Sequence, residues 1–102
     1  MITLADFDGR TIRLTDERLA HILGHPEMQG QEQRIAETLL MPDSVILSHH
    51  DSTVHLYHKL FAETPVTCKY LVVVVKYLEQ DAFVITAFFT DKEKKGARIW
   101  PR

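Results

Sequence analysis

The run CKYLVVVVKYL, residues 68–78, constrains the fold more than any other stretch. Four consecutive valines with leucine and tyrosine on their flanks favour an extended, pleated backbone, so this segment is the expected central strand of a sheet. Its neighbours supply partners. SVILSHH and TVHLYHKL stand on either side of a short Asp51-Ser52 turn and predict a hairpin. FVITAFFT, after a turn at Glu79-Gln80-Asp81, predicts the fourth strand of an antiparallel meander.

Upstream of the meander the code changes. ITLADFDGRTIRL sets two short alternating runs around Asp8-Gly9, a hairpin signal. Thr15 followed by Asp16 and Glu17 reads as a helix N-cap with acids in the first turn. Leu19, Ile22 and Leu23 then give one apolar stripe, and Gly24 is a natural stop. A second helix is expected from about Gln31 to Leu40, with Ile35, Ala36 and Leu39 inward, ending before Pro42. The sum is an α+β fold: an N-terminal hairpin and two helices packed on a four-stranded antiparallel sheet.

Length and composition bound the rest. Residues 1–102 fit one domain, and 45% hydrophobic with 25% charged residues places the chain among ordinary globular proteins. The longest apolar run, LVVVV at 71–75, is far short of the roughly 18 residues that cross a bilayer. The opening MITLADFDGR carries acids where a signal peptide carries bases, so a cytoplasmic location without membrane contact is expected. One cysteine, Cys68, excludes an intramolecular disulfide and a Cys-rich zinc knuckle.

The net charge of −2 is unevenly spread: residues 1–40 sum to −3, 41–90 to −2 and 91–102 to +3. An acidic balance counts against tight nonspecific nucleic-acid binding. Any anion-binding surface is then local, built from the basic tail and the strand lysines.

Alternation divides each strand between two faces. Val54, Leu56, His58 and Leu60 are expected against the helices, with Leu71, Val73, Val75 and Tyr77, and with Phe83, Ile85, Ala87 and Phe89. That leaves His55, Tyr57, Lys59, Lys76, Thr86 and Thr90 as a polar set on the open face. A half-solvated sheet face accounts for such residues without any function. Their mixture of fixed positive charge, hydroxyl donors and an imidazole also suits a phosphate and the charge developing on it.

HILGHPE, residues 21–27, carries His21 and His25 at a spacing that helical metal ligands use. Pro26 pushes His25 out of helical conformation, and no cysteine or acid stands at a complementary spacing. No metal and no cofactor is expected.

HILGHPE, TLLMPDSV, VHLYHK, KYLVVVVK and FVITAFFTDKEKKGARIW together resemble a bacterial and phage family of small nuclease-like domains, grouped with barnase, EndoU, the tRNase colicins and the RelE toxins. The resemblance spans about residues 16–100, and ITAFFTDKEKKG is its most specific element. It implies helices on a four-stranded antiparallel sheet and a metal-independent endoribonuclease or a relative of one, in some cases a toxin or mobile-element effector. One departure is Gly24, where the resemblance implies a basic residue.

Carried onto this chain, the resemblance implies His25 as the proton-transfer group, with Lys59 and Thr86 beside it as catalytic residues. Tyr57, Lys76, Thr90, Lys92 and Lys95 would hold the substrate. Each has a plainer reading: a helix-terminal histidine, solvated lysines, threonines placed by β-propensity, and a charged turn in DKEKKGAR. Trp100 either stacks on a base or packs back over the core. The implied partner is RNA, as tRNA or mRNA, and a toxin role implies a neutralising antitoxin or immunity protein. The alternative is a non-catalytic RNA- or protein-binding module on the same fold.

Overall fold

The structure, a computed structural model, describes residues 1–101; Arg102, counted above in the basic tail, lies outside the described residues. The chain opens with the expected hairpin, strands β1 (Ile2–Ala5) and β2 (Thr11–Leu14). Its turn is closed by Asp6, whose Oδ1 accepts the Asp8 and Arg10 amides at 3.0 and 2.9 Å. Gly9 sits at φ +86°, a conformation that glycine adopts without a Cβ clash.

Helix α1 (Asp16–Leu23) starts where Thr15 predicts, the Thr15 hydroxyl accepting the Arg18 amide at 3.2 Å. A short 3-10 turn (Pro26–Met28) follows, and helix α2 (Glu32–Leu40) ends before Pro42. His25 between them is extended, at φ −86° and ψ 122°, as a residue before proline should be.

The meander follows as β3 (Ser44–Leu47), β4 (Val54–Phe61), β5 (Lys69–Tyr77) and β6 (Ala82–Thr90), and a last strand β7 covers Arg98–Trp100. Among the described residues the sheet has seven strands rather than four, in the order β1-β2-β6-β5-β4-β3-β7. Two additions make the difference. Arg13 of β2 pairs in parallel with Phe83, which joins the N-terminal hairpin to one edge. At the other edge β7 pairs antiparallel with β3. The long β-branched run lies at the centre, as expected.

The core forms between the helices and one face of the sheet. Ile22, Met28, Ile35 and Leu39 from the helical region meet Val45, Tyr57, Leu71, Val73, Val75, Val84 and Ala87. The sheet curls enough that Phe7, in the N-terminal turn, meets Trp100 from the opposite edge, with ring centroids 5.2 Å apart.

Two face assignments change. In β4, His55, Tyr57, Lys59 and Phe61 point to the helix side, because Tyr57 pairs with Val45 and Val73, both core residues. Leu56 and His58 take the other face, where the segment 91–97 crosses the sheet and buries His58 completely. With both faces covered, hydrophobicity no longer tells one from the other. In β6, Val74 pairs with Thr86 while Val75 pairs with Val84, so Ile85 is an extra residue in a bulge. The bulge reverses the alternation: Ala82 and Val84 are buried on the core side and Phe83 turns to the opposite face beside Lys76.

The crossing segment is fastened at three points. The Lys94 amide donates to His58 Nε2 at 2.9 Å, and the Ser44 hydroxyl donates to Glu93. Gly96 lies so close to β3 that a Cβ there would stand 2.3 Å from the Leu47 carbonyl oxygen and 2.6 Å from Ile46 Cγ2.

Candidate functional site

A cavity of about 530 Å³ opens on the helix side, between the N-terminal turn, the paired strands β4 and β5, and Ile99. Its floor is a hydrogen-bonded chain. The Tyr57 and Tyr77 hydroxyls lie 2.6 Å apart, and Tyr77 donates to Asp6 Oδ2 at 2.8 Å. Asp6 is buried and serves two functions at once, one oxygen closing the turn and the other receiving the phenol. Burial pushes both phenols well above the ordinary tyrosine value, so each stays protonated and acts as a donor throughout the neutral range.

His55 forms the wall. Its ring lies against Tyr77 with centroids 4.3 Å apart. Burial lowers the His55 pKa, partly offset by the charge of Asp6, so the imidazole is neutral at pH 7. Neither of its nitrogens hydrogen-bonds to a described residue, so this cavity-lining ring keeps an uncommitted acceptor. His58 is the contrast. Its Nδ1 is held 3.0 Å from the Leu56 carbonyl and its Nε2 accepts from Lys94, so both ring positions are occupied.

Arg10 completes the group. Its guanidinium carbon stands 5.2 Å from the Tyr77 ring centre, and one terminal nitrogen donates to the Leu78 and Asp81 carbonyls. Those contacts anchor the guanidinium and consume only one of its nitrogens. The cavity therefore holds a neutral imidazole, an anchored cation and two phenols kept as donors.

Of the expected catalytic residues, the structure does not bring His25, Lys59 and Thr86 to one place. Lys59 is on the helix side of the sheet; Thr86, paired with Val74, is on the opposite side. His25 is exposed at the junction of α1 and the 3-10 turn, its ring edge-on to His21 at 6.0 Å. The two rings do stay near each other, yet among the described residues no three His, Cys, Asp or Glu side chains come together as metal ligands.

The expected substrate-binding residues divide the same way. Tyr57 is in the cavity floor. Lys76 and Thr90 are on the opposite face, Lys76 bound to Asp51 at 2.6 Å, and the exposed Lys92 and Lys95 belong to the crossing segment. Sequence reasoning missed Asp6, Arg10 and Tyr77. Asp6 and Arg10 read as turn residues around Gly9, and Tyr77 reads as one more member of the core stripe. The available signal was parity: Tyr57 and Phe61 are four apart on β4, an aromatic pair that belongs on the buried face.

Two helices on one side of a curled, mainly antiparallel sheet define a small α+β domain, with an imidazole, a guanidinium and paired phenols lining one cleft. The chain belongs to the phage-Barnase-EndoU-ColicinE5/D-RelE like nuclease2 family, whose model matches residues 2–100. It is thus a phage-related, nuclease-like domain, and the two helices on a sheet fit a barnase-like α+β arrangement. No curated protein and no solved structure matches it. No helix among the described residues is long and apolar enough to cross a membrane.

Proposed function

We propose that the chain is one nuclease domain that cleaves RNA without a metal, at the cavity bounded by Asp6, Arg10, His55 and Tyr77. The observation that carries this is His55: a neutral imidazole whose nitrogens bond to no described residue, its ring against Tyr77 and in one cavity with an anchored guanidinium. His55 takes the proton of a ribose 2′-hydroxyl as the 2′ oxygen attacks phosphorus. Arg10 meets the charge gathering on the phosphate oxygens, and the phenols and Asp6 hold the wall in place. The 5′ oxygen leaves with a proton from solvent, giving a 2′,3′-cyclic phosphate and a free 5′-hydroxyl.

Both the base and the cation of this scheme are side chains, so EDTA should not stop it. The test is incubation of purified protein with total RNA, with and without EDTA, followed by analysis of product ends. EDTA-resistant products ending in 2′,3′-cyclic phosphate agree with the proposal; metal-dependent cleavage or linear 3′-hydroxyl ends contradict it.

A tRNA or mRNA substrate, a toxin or mobile-element role in the cytoplasm, and a neutralising antitoxin or immunity protein extend the same proposal. His25, Lys92 and Lys95, all exposed, would then touch substrate outside the cavity. One observation favours a second reading, a binding module without catalysis. Asp6 and Asp8 line the cavity against a single arginine, a balance that weakens the hold on a phosphate. Salt-sensitive RNA binding without cleavage would favour it.

A further inference from the structure

Beside the His55 cavity lies a second, of about 490 Å³, and Phe7 is a wall of both. The second cavity is made differently. Its sides are Trp100, Phe7 and the exposed pair Leu40 and Met41, and Lys59 stands within it. Flat aromatic and apolar sides suit a ring that stacks, and the lysine suits an anion attached to that ring.

Lys59 is the informative residue. The other two strand lysines are spent in close ion pairs, Lys76 with Asp51 and Lys69 with Asp91. Lys59 instead donates to the Met41 carbonyl at 2.9 Å, and its nearest carboxylate, Asp43, stands at the 4.0 Å limit of an ion pair. Asp43 is itself engaged, one oxygen accepting the Leu60 amide at 2.7 Å. The stem of Lys59 is thus packed, with the side chain 20% exposed, and the ammonium is oriented without being closely neutralised.

We infer that this second cavity binds one unstacked nucleotide next to the cleaved bond, the base against Trp100 and Met41 and its phosphate on Lys59. The substrate is then single-stranded at that point, since a base held in a duplex cannot enter the cavity. This rests on the nucleic-acid reading of the neighbouring site, and it assigns Lys59 a binding role apart from proton transfer.

Trp100 is the chain's single tryptophan, so its fluorescence reports the cavity directly. The experiment titrates the protein with adenosine 5′-monophosphate, and in parallel with inorganic phosphate. Saturable quenching by the nucleotide, and none by phosphate alone, is the expected result. Lys59→Gln should raise the Kd about tenfold or more, the scale of one charge-assisted contact, and Lys59→Arg should restore much of the loss. Met41→Ala, at a residue 57% exposed, should weaken binding without unfolding the chain.

Absence of saturable quenching, or quenching that Lys59→Gln leaves unchanged, overturns the inference. The same titration on His55→Ala separates the two cavities. Cleavage lost with the nucleotide still bound agrees with both assignments. Cleavage lost in His55→Ala together with no quenching in any variant removes only the nucleotide subsite. Cleavage retained in His55→Ala removes the catalytic assignment and leaves a Lys59-dependent nucleotide site standing.

Discussion

At the scale of single residues, the His55 cavity depends on groups that share one carboxylate. Asp6 closes the N-terminal turn with one oxygen and accepts the Tyr77 phenol with the other. Tyr77→Phe removes the hydroxyl between Tyr57 and Asp6 and leaves only the long 3.5 Å contact from the Tyr57 hydroxyl to Asp6 Oδ2 in a buried place. The expected cost is about 1–3 kcal/mol, read from the urea midpoint. His55 keeps its stacking partner in that variant, so cleavage should fall by less than in His55→Ala. Sequence alone showed little of this group. An aspartate two residues before Asp8-Gly9 reads as turn chemistry, and nothing local reveals that its second oxygen reaches residues 51 and 71 positions away. His55 was visible as a polar residue on β4, but its face depended on coverage that only the folded chain supplies.

At the scale of elements, the crossing segment 91–97 is the part that local signals least disclose. It has no periodicity, and its role comes from where its ends are tied: to β6 at Thr90 and to β3 through β7. The helices were legible because their signals are local, a Thr15 cap and a proline after each of the two helical stretches. The crossing segment predicts two measurable effects. Gly96→Ala places a methyl against the Leu47 carbonyl and Ile46 at φ +154°, and should destabilise by about 1–3 kcal/mol in a chemical melt. The second concerns acid. Burial lowers the pKa of His58, the segment's anchor, as it does for His55. The unfolded chain therefore binds protons that these two positions resist in the fold. Their contribution to stability is full above the unfolded value of about 6.5 and is lost as pH falls through the lower folded values. The urea midpoint should drop between pH 7.5 and 5, and less steeply in His58→Gln; a flat profile in the wild type would count against the buried imidazole. Asp51 and Asp81 shift in the same direction but act at lower pH. Lys76 and Arg13 respectively hold them below the ordinary carboxylate range, so their contribution fades only in stronger acid.

At the scale of the whole molecule, the sheet is a curled wall with two chemically different sides. The helix side carries the core, the His55 cavity and the Lys59 cavity; the other carries Lys76, Thr86, Thr90 and the basic crossing segment. The central strand, both helices and the α+β class were readable because each rests on periodicity within one stretch of chain. The seventh strand and the closing of Phe7 on Trp100 were not, because they join residues from opposite ends of the sequence. The same distance explains why the resemblance to nuclease-like domains placed the family correctly while its candidate residues divided between two faces. Cleavage rates of a defined single-stranded RNA by wild type, His55→Ala and Thr86→Ala decide which side holds the chemistry. A base at His55 requires a loss of about 100-fold or more for His55→Ala, the scale of a proton-transfer group, with a far smaller change for Thr86→Ala. A large loss in Thr86→Ala with His55→Ala still active would contradict it.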